Sequence, residues 1–153
     1  MGKRRKARES ALQILFQLEF DDTPPSEVSA AYWARRKTEN EVKEYGTWLF
    51  EGIVRRREEI DRMISGLSDH WRLDRMAVVD RNILRIAVFE LIEEKNIAPA
   101  VIINEALEVA KKYSSEQASV FINGILDAAK KRLANVNDGL IEDKIDEGKD
   151  ESG

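Results

Sequence analysis

The chain has 153 residues, a formal net charge of −4 at pH 7 and no cysteine. That length suits one compact domain or two small subdomains with a shared core. No apolar run approaches the roughly 18 residues of a membrane span, no secretory signal is recognisable and disulfides are impossible, so we expect a cytoplasmic protein without membrane contact.

The first half of the chain has the apolar spacing of helices. Apolar residues recur at intervals of three and four as far as Leu18, and two prolines within residues 21–25 then end this first helix. A short helix is predicted over residues 26–36. Thr38, followed three residues later by glutamate, forms a capping-box pattern, after which one long helix is predicted to continue to Gly66.

The second half is helical as well. A region beginning near Asp74 contains residues 83–92, which are apolar on nearly every side and predict a helix at the centre of the core. Pro99 suits the first position of the next helix, and Ser114 is predicted to cap the last one. Because no segment alternates with period two, the predicted fold class is all-α. Residues 136–153 have too few apolar side chains to offset the entropy of ordering, which predicts a disordered acidic tail.

Charge is distributed unevenly between the two ends of the chain. Residues 1–8 contain five basic residues and no acidic one, whereas residues 136–153 contain seven acidic residues and two lysines. Without that acidic segment the chain has a net charge of about +1. A basic segment set apart in this way indicates binding to a polyanion.

The first helix is the candidate site for that binding. Arg4, Arg5 and Arg8 lie within about one helical turn of one another, with Lys6 to one side. Because the apolar stripe faces the body, we expect the basic side chains to project from the free side, where guanidinium groups hold phosphates and stack on bases. The alternative is a solvated N-terminus, but cations there oppose the helix dipole, a cost that solubility alone does not require.

The sequence has no recognisable catalytic arrangement. His70 is the only histidine and has no cysteine with which to share a metal, and acids such as Glu58 and Glu59 are typical of exposed helix faces. Glycine-rich phosphate loops, nucleophile motifs and zinc-ligand spacings are missing. We therefore expect no enzyme activity, no catalytic residue, no metal and no cofactor.

Two polar sites interrupt otherwise apolar helices, at Asn104-Glu105 and at Asn123-Gly124. A glycine inside a helix costs roughly 1 kcal/mol relative to alanine, so close helix packing is the expected reason for Gly124. The polar side chains beside it are expected to join neighbouring helices. Structural roles are therefore predicted for both sites.

Four segments occur in a characteristic order, namely RRKARE (4–9), LRIAVFEL (84–91), INEA (103–106) and FINGIL (121–126). Together they resemble the NusB family of transcription antitermination factors, over nearly the whole chain up to about Leu133. The resemblance implies an RNA-binding domain of residues 1–135, built as two perpendicular three-helix bundles around a shared core. We expect the N-terminal subdomain to cover about 1–68 and the C-terminal subdomain about 69–135.

The resemblance also implies a non-catalytic function and its partners. NusB proteins bind a short single-stranded RNA element, boxA, in ribosomal RNA leader transcripts, together with the ribosomal protein NusE, and join elongating RNA polymerase through other Nus factors. Asp80 matches an acidic position at the NusE-facing surface. The resemblance implies that Arg4, Arg5, Lys6, Arg8, Phe16 and Phe121 bind RNA. Lys3, from the same basic run, and Gln117, from the turn before the last helix, complete the predicted RNA-binding residues.

This sequence departs from the family pattern just before the last helix. The family often has an acid followed by serine there, whereas this chain has Gln117-Ala118-Ser119-Val120. Because an acid beside an RNA path repels phosphates, we expect RNA binding to be retained or strengthened. Two alternatives stay open, namely an RNA-delivery module acting with a separate RNA-modifying enzyme and a purely protein-binding helical scaffold. A homodimer that masks the partner sites is a further expectation.

Overall fold

The computed structural model describes residues 2–67 and 72–150, without the side chains of residues 136–150. Within these ranges the secondary structure is entirely helical, as predicted. A short 3-10 helix covers Leu73–Arg75. The seven α-helices are α1 (Gly2–Glu19), α2 (Pro25–Ala34), α3 (Asn40–Arg55), α4 (Arg57–Ser65), α5 (Val78–Glu93), α6 (Pro99–Tyr113) and α7 (Glu116–Asp150).

α5 lies at the centre of the fold, as its apolar sequence predicts. Every residue from Asn82 to Leu91 is buried, and α5 packs against α1, α3, α4, α6 and α7. One continuous hydrophobic core includes side chains from all seven helices. The division into two perpendicular bundles, with subdomains of about 1–68 and 69–135, stays a prediction.

The prediction of a single long helix that ends at Gly66 is wrong, because the structure has two helices there. The chain leaves helical geometry at Arg56, where φ is −111° and ψ is 22°. Beyond this break, Ile60 and Ile64 are fully buried and α4 packs against α5. The break therefore redirects the chain toward the core, and neither proline nor glycine marks it in the sequence.

The helix caps also differ in detail from the prediction. α3 begins after Glu39, whose side chain makes no capping hydrogen bond, so the expected capping box at Thr38 is not formed. Ser114 ends α6 instead of starting α7. The cap of α7 is the next residue, Ser115, whose Oγ accepts a hydrogen bond from the backbone N–H of Ala118 at 3.0 Å.

The backbone of α7 continues in helical conformation to Asp150, and the predicted disorder of residues 136–153 stays a prediction. No proline follows Pro99, so propagation of the helix is not blocked, and each added residue gains one backbone hydrogen bond. The side chains of residues 136–150 and all of residues 151–153 lie outside the described part of the chain. Among the described helices, none is both long and apolar enough to cross a membrane.

Candidate nucleic-acid interface

α1 carries the basic motif and packs against α3 and α5. Its buried face is formed by small and aliphatic side chains, including Ala7, Ala11 and Ile14. Gly46 allows close approach of α3, because a Cβ added there would lie 3.0 Å from the indole of Trp33 and 3.3 Å from the carbonyl oxygen of Ala7. This packing fixes the rotation of α1 and therefore the direction of each basic side chain.

The prediction that Arg8 projects from the free side of α1 is wrong. Its side chain is only 4% exposed and donates hydrogen bonds from Nε and Nη2 to the two carboxylate oxygens of Glu90, at 2.8 and 2.9 Å. The hydroxyl of Tyr45 donates to the same carboxylate. Arg8 therefore joins α1 to α5 inside the protein, and a bound RNA could not reach it in this conformation.

The electrostatics of this buried group are consistent with a permanent ion pair. Burial lowers the pKa of Arg8, but the hydrogen bonds and charge of Glu90 outweigh that effect and raise it above its usual value. Burial and the Glu90 carboxylate also raise the pKa of Tyr45. Both side chains therefore keep their protons at neutral pH.

Arg5 makes a second ion pair, which joins α1 to α6. Its Nε and Nη2 donate to the carboxylate of Glu105 at 3.0 and 2.7 Å, and this carboxylate is almost fully buried on α6. The hydrogen bond from Arg5 holds the pKa of Glu105 below its usual range. The structural role predicted for the polar site at Asn104-Glu105 is thus found at Glu105, whereas Asn104 is exposed.

The remaining basic residues are open to solvent. Arg4 is 46% exposed and donates one hydrogen bond, from Nη1 to Glu94 at 3.2 Å. Lys3 lies 3.2 and 3.3 Å from the carboxylates of Glu39 and Glu41, both exposed. Lys6 is exposed and has no ion pair with any residue that the structure describes. The cations available to a ligand are therefore Lys3, Arg4, Lys6 and the outer part of Arg5.

Aromatic side chains lie exposed at the other end of α1. Phe16 is half-exposed, and its ring centroid lies 5.1 Å from that of Phe20, which is more exposed still. Phe20 was not among the predicted site residues, although its place one turn after Phe16 would have indicated a shared face. At 1.5 Å per residue, Phe16 lies roughly 18 Å along the axis from Arg4.

That end of α1 is fixed by an ion cluster that the sequence analysis missed. Glu19 accepts hydrogen bonds from Arg81, Asn82 and Arg85 of α5, and Arg85 also donates to Asp61 of α4. Burial alone would raise the pKa of Glu19, but these donors lower it to about 2. α1 is therefore bound to α5 by charged hydrogen bonds at both ends.

Three other predicted site residues meet in one cleft between the start of α5 and the start of α7. Its volume is about 480 Å³, and Asp80, Gln117 and Phe121 line it. Asp80 lies in the first turn of α5, where the helix dipole favours an acidic side chain. Its Oδ1 is buried and accepts no hydrogen bond from the described residues. This oxygen is therefore shielded from solvent, although the Asp80 side chain lines the cleft.

Gly124 does not have the packing role expected for it. A Cβ added there would meet nothing within 4 Å, and Asn123 beside it is exposed. Among the described residues there is no group of three or more histidine, cysteine or acidic side chains able to hold a metal. His70 lies outside the described residues.

Residues 5–131 match the NusB family. A relative from Koribacter versatilis, named transcription antitermination protein NusB, is 44% identical over 133 residues, which cover 86% of this chain and 91% of the relative.

Solved structures agree with that match. T. maritima NusB has a TM-score of 0.78 at 38% identity, covering 84% of this chain and 90% of that one. A chain in the crystal structure of the antitermination factors NusB and NusE in complex with dsRNA has a TM-score of 0.77 at 32% identity, covering 86% and 98%. The resemblance of the four sequence segments is therefore confirmed, and this chain belongs to the NusB family.

Proposed function

We propose that this protein is a cytoplasmic, non-catalytic factor of transcription antitermination that binds boxA-type single-stranded RNA together with the ribosomal protein NusE. The observation that carries this proposal is the set of solvent-exposed cations on α1, Lys3, Arg4 and Lys6, in a chain of the NusB family. Their helix is held by buried ion pairs, so the backbone positions that carry the cations are fixed before RNA binds. The relatives' name supplies the process, transcription antitermination.

An exposed aromatic position favours single-stranded RNA over a duplex. Phe16 offers its ring to unstacked bases, which a base-paired helix does not present. Phe121 is partly buried against the core and lines the α5–α7 cleft. Gln117 lies beside Phe121 in the same cleft, where an amide hydrogen-bonds to base edges and does not repel phosphates. Phosphates would follow the cations of α1, and bases would rest on these rings.

The proposed contact with NusE uses Asp80. An acidic side chain that lines the α5–α7 cleft suits a cationic side chain of a basic ribosomal protein. The solved relative that contains NusB, NusE and RNA supports such an assembly. Through other Nus factors this complex would join elongating RNA polymerase. The exposed Phe16 and Phe20 are the surface that a homodimer of the free protein would cover.

The test is an RNA titration with a matched set of charge variants. Lys3, Arg4 and Lys6 are all changed to glutamine, and affinity for a labelled boxA-like single strand is measured by fluorescence anisotropy from low to moderate salt. We expect weaker binding, by at least tenfold at low salt, and a salt slope smaller by about 0.7 for each phosphate that is no longer neutralised. Added NusE is expected to tighten binding by the wild type.

The control removes three exposed cations elsewhere, changing Arg62, Lys111 and Lys131 to glutamine. The two triple variants have the same net charge, so a difference between them reports the site and not the charge of the whole protein. Equal RNA affinity of the two variants, or equal affinity of the wild type for the single strand and its duplex, would contradict the proposal. A separate RNA-modifying enzyme is excluded as the main partner if NusE alone gives the full gain in affinity.

A further inference from the structure

An exposed tryptophan lies beside the basic end of α1 and has no role in the site described so far. Trp48, on α3, is 38% exposed, although tryptophan is among the side chains that gain most from burial. Its neighbours connect it to the cations. The Cζ of Arg4 lies 3.8 Å from the centroid of the Tyr45 ring, and the ring centroids of Tyr45 and Trp48 are 5.3 Å apart. One aromatic ring therefore separates Arg4 from the indole.

The support under Trp48 is rigid. Its ring centroid lies 5.0 Å from that of Phe89, a fully buried residue of α5. Phe89 is fixed in turn by Gly52, one turn after Trp48 on α3, because a Cβ at that position would lie 2.2 Å from the Cζ of Phe89. The hydroxyl of Tyr45 is bound to Glu90. The indole is thus held in place before any ligand arrives.

Arg4 keeps hydrogen-bonding capacity for a phosphate in this arrangement. A guanidinium group has five N–H donors, and Arg4 donates one hydrogen bond, to Glu94. Its stacking on Tyr45 uses the ring plane and leaves the edge donors available. A phosphate bound at this edge would place the base of an adjacent nucleotide within reach of Trp48.

The charges around Trp48 determine which part of a nucleotide can lie on its indole. Glu44 and Glu51 are exposed on α3, four residues before and three residues after Trp48, and therefore share its face. These carboxylates repel a phosphate but not a neutral base. The phosphate is consequently expected on the α1 side, at Lys3 and Arg4, and the base on the indole.

We propose that Trp48 is a stacking platform for one unpaired base of the RNA, continuing the cationic surface of α1 across α3 through Tyr45. This inference rests on the proposed function. It extends the RNA path to a helix that carries none of the residues assigned to RNA so far. The side chain contributes to affinity by stacking and contributes nothing to phosphate neutralisation.

The test uses two substitutions of the same residue. Trp48→Leu keeps an apolar contact with Phe89 but removes the stacking face, and we expect it to weaken binding of the boxA-like single strand by about 5- to 150-fold. Trp48→Phe retains a smaller ring and is expected to restore most of the affinity. The salt slope should not change in either variant, in contrast to Arg4→Gln, which should lower it by about 0.7.

The stacked base is located with RNAs in which one nucleotide at a time lacks its base. At one position of the RNA, we expect removal of the base to weaken binding to the wild type. At that same position, removal of the base should not weaken binding to Trp48→Leu any further. Val101→Ala, which changes an equally exposed apolar residue on α6, serves as the control, and urea denaturation of each variant verifies folding. Unchanged RNA affinity of a folded Trp48→Leu, or a loss confined to NusE binding, would overturn the inference. The proposed function would still stand if the triple cation variant had lost RNA binding.

Discussion

The two ends of α1 are bound to α5 by ion pairs of opposite polarity. At the N-terminal end, α1 supplies the cation Arg8 and α5 supplies the carboxylate of Glu90. At the C-terminal end, α1 supplies the carboxylate of Glu19 and α5 supplies Arg81 and Arg85. Glu19 lies in the last turn of α1, where the helix dipole favours cations, and its pairs with α5 compensate that cost. Arg8 lies in the second turn, beyond the reach of the dipole.

The difference between the ends lies in what remains exposed. Around Glu19, the carboxylate and Arg85 are buried and paired with each other, so this cluster has only a structural role. On the N-terminal side of Arg8, the buried pair is preceded by Arg4 and Lys6, which keep donors in solvent. One basic run therefore contains two kinds of residue, one that holds the helix and one that a polyanion can reach. Burial, and not residue type, separates them.

The largest expected effect comes from breaking the N-terminal pair. Arg8→Met leaves the buried Glu90 carboxylate without its cation, and we expect the free energy of unfolding to fall by about 3–5 kcal/mol. Urea denaturation measures this change. At a temperature where the variant is folded, its RNA affinity should stay within about twofold of the wild type. Reduced RNA affinity with unchanged stability would mean that Arg8 contacts RNA and that the comparison is wrong.

The sequence contains part of the information needed for this distinction. Arg8 lies three, four and seven residues before Ala11, Leu12 and Leu15, and this spacing places it on the buried stripe of α1. Its partner Glu90 is 82 positions away, and no local pattern connects the two. The central helix was predictable because its apolar residues are contiguous. The break at Arg56 was not, because it depends on packing of α4 against α5 and not on a local signal.

The ion cluster around Glu19, at the C-terminal end of α1, is tested by measuring stability at low pH. Because the folded-state pKa of Glu19 is about 2 and the unfolded value is near 4.5, its contribution to stability is complete above pH 4.5 and is lost as pH falls toward 2. We expect this loss to amount to about 2–3 kcal/mol in the free energy of unfolding. Glu19→Gln should be less stable than the wild type at pH 7 and should show a smaller decrease between pH 5 and 2. Parallel curves for the two proteins would show that Glu19 is not held as an ion.

The smallest effect is expected at the exposed acids beside Lys3. Glu39 and Glu41 partly neutralise this lysine, so that a phosphate must compete with them for it. Exposed ion pairs of this kind are weak, and changing both acids to glutamine should therefore raise RNA affinity only modestly, by about 1.5- to 5-fold at low salt. The effect should disappear at high salt, where such pairs are screened. Glu27 and Glu58 changed to glutamine remove the same charge from α2 and α4, and an equal gain in that variant would attribute the effect to net charge and not to Lys3.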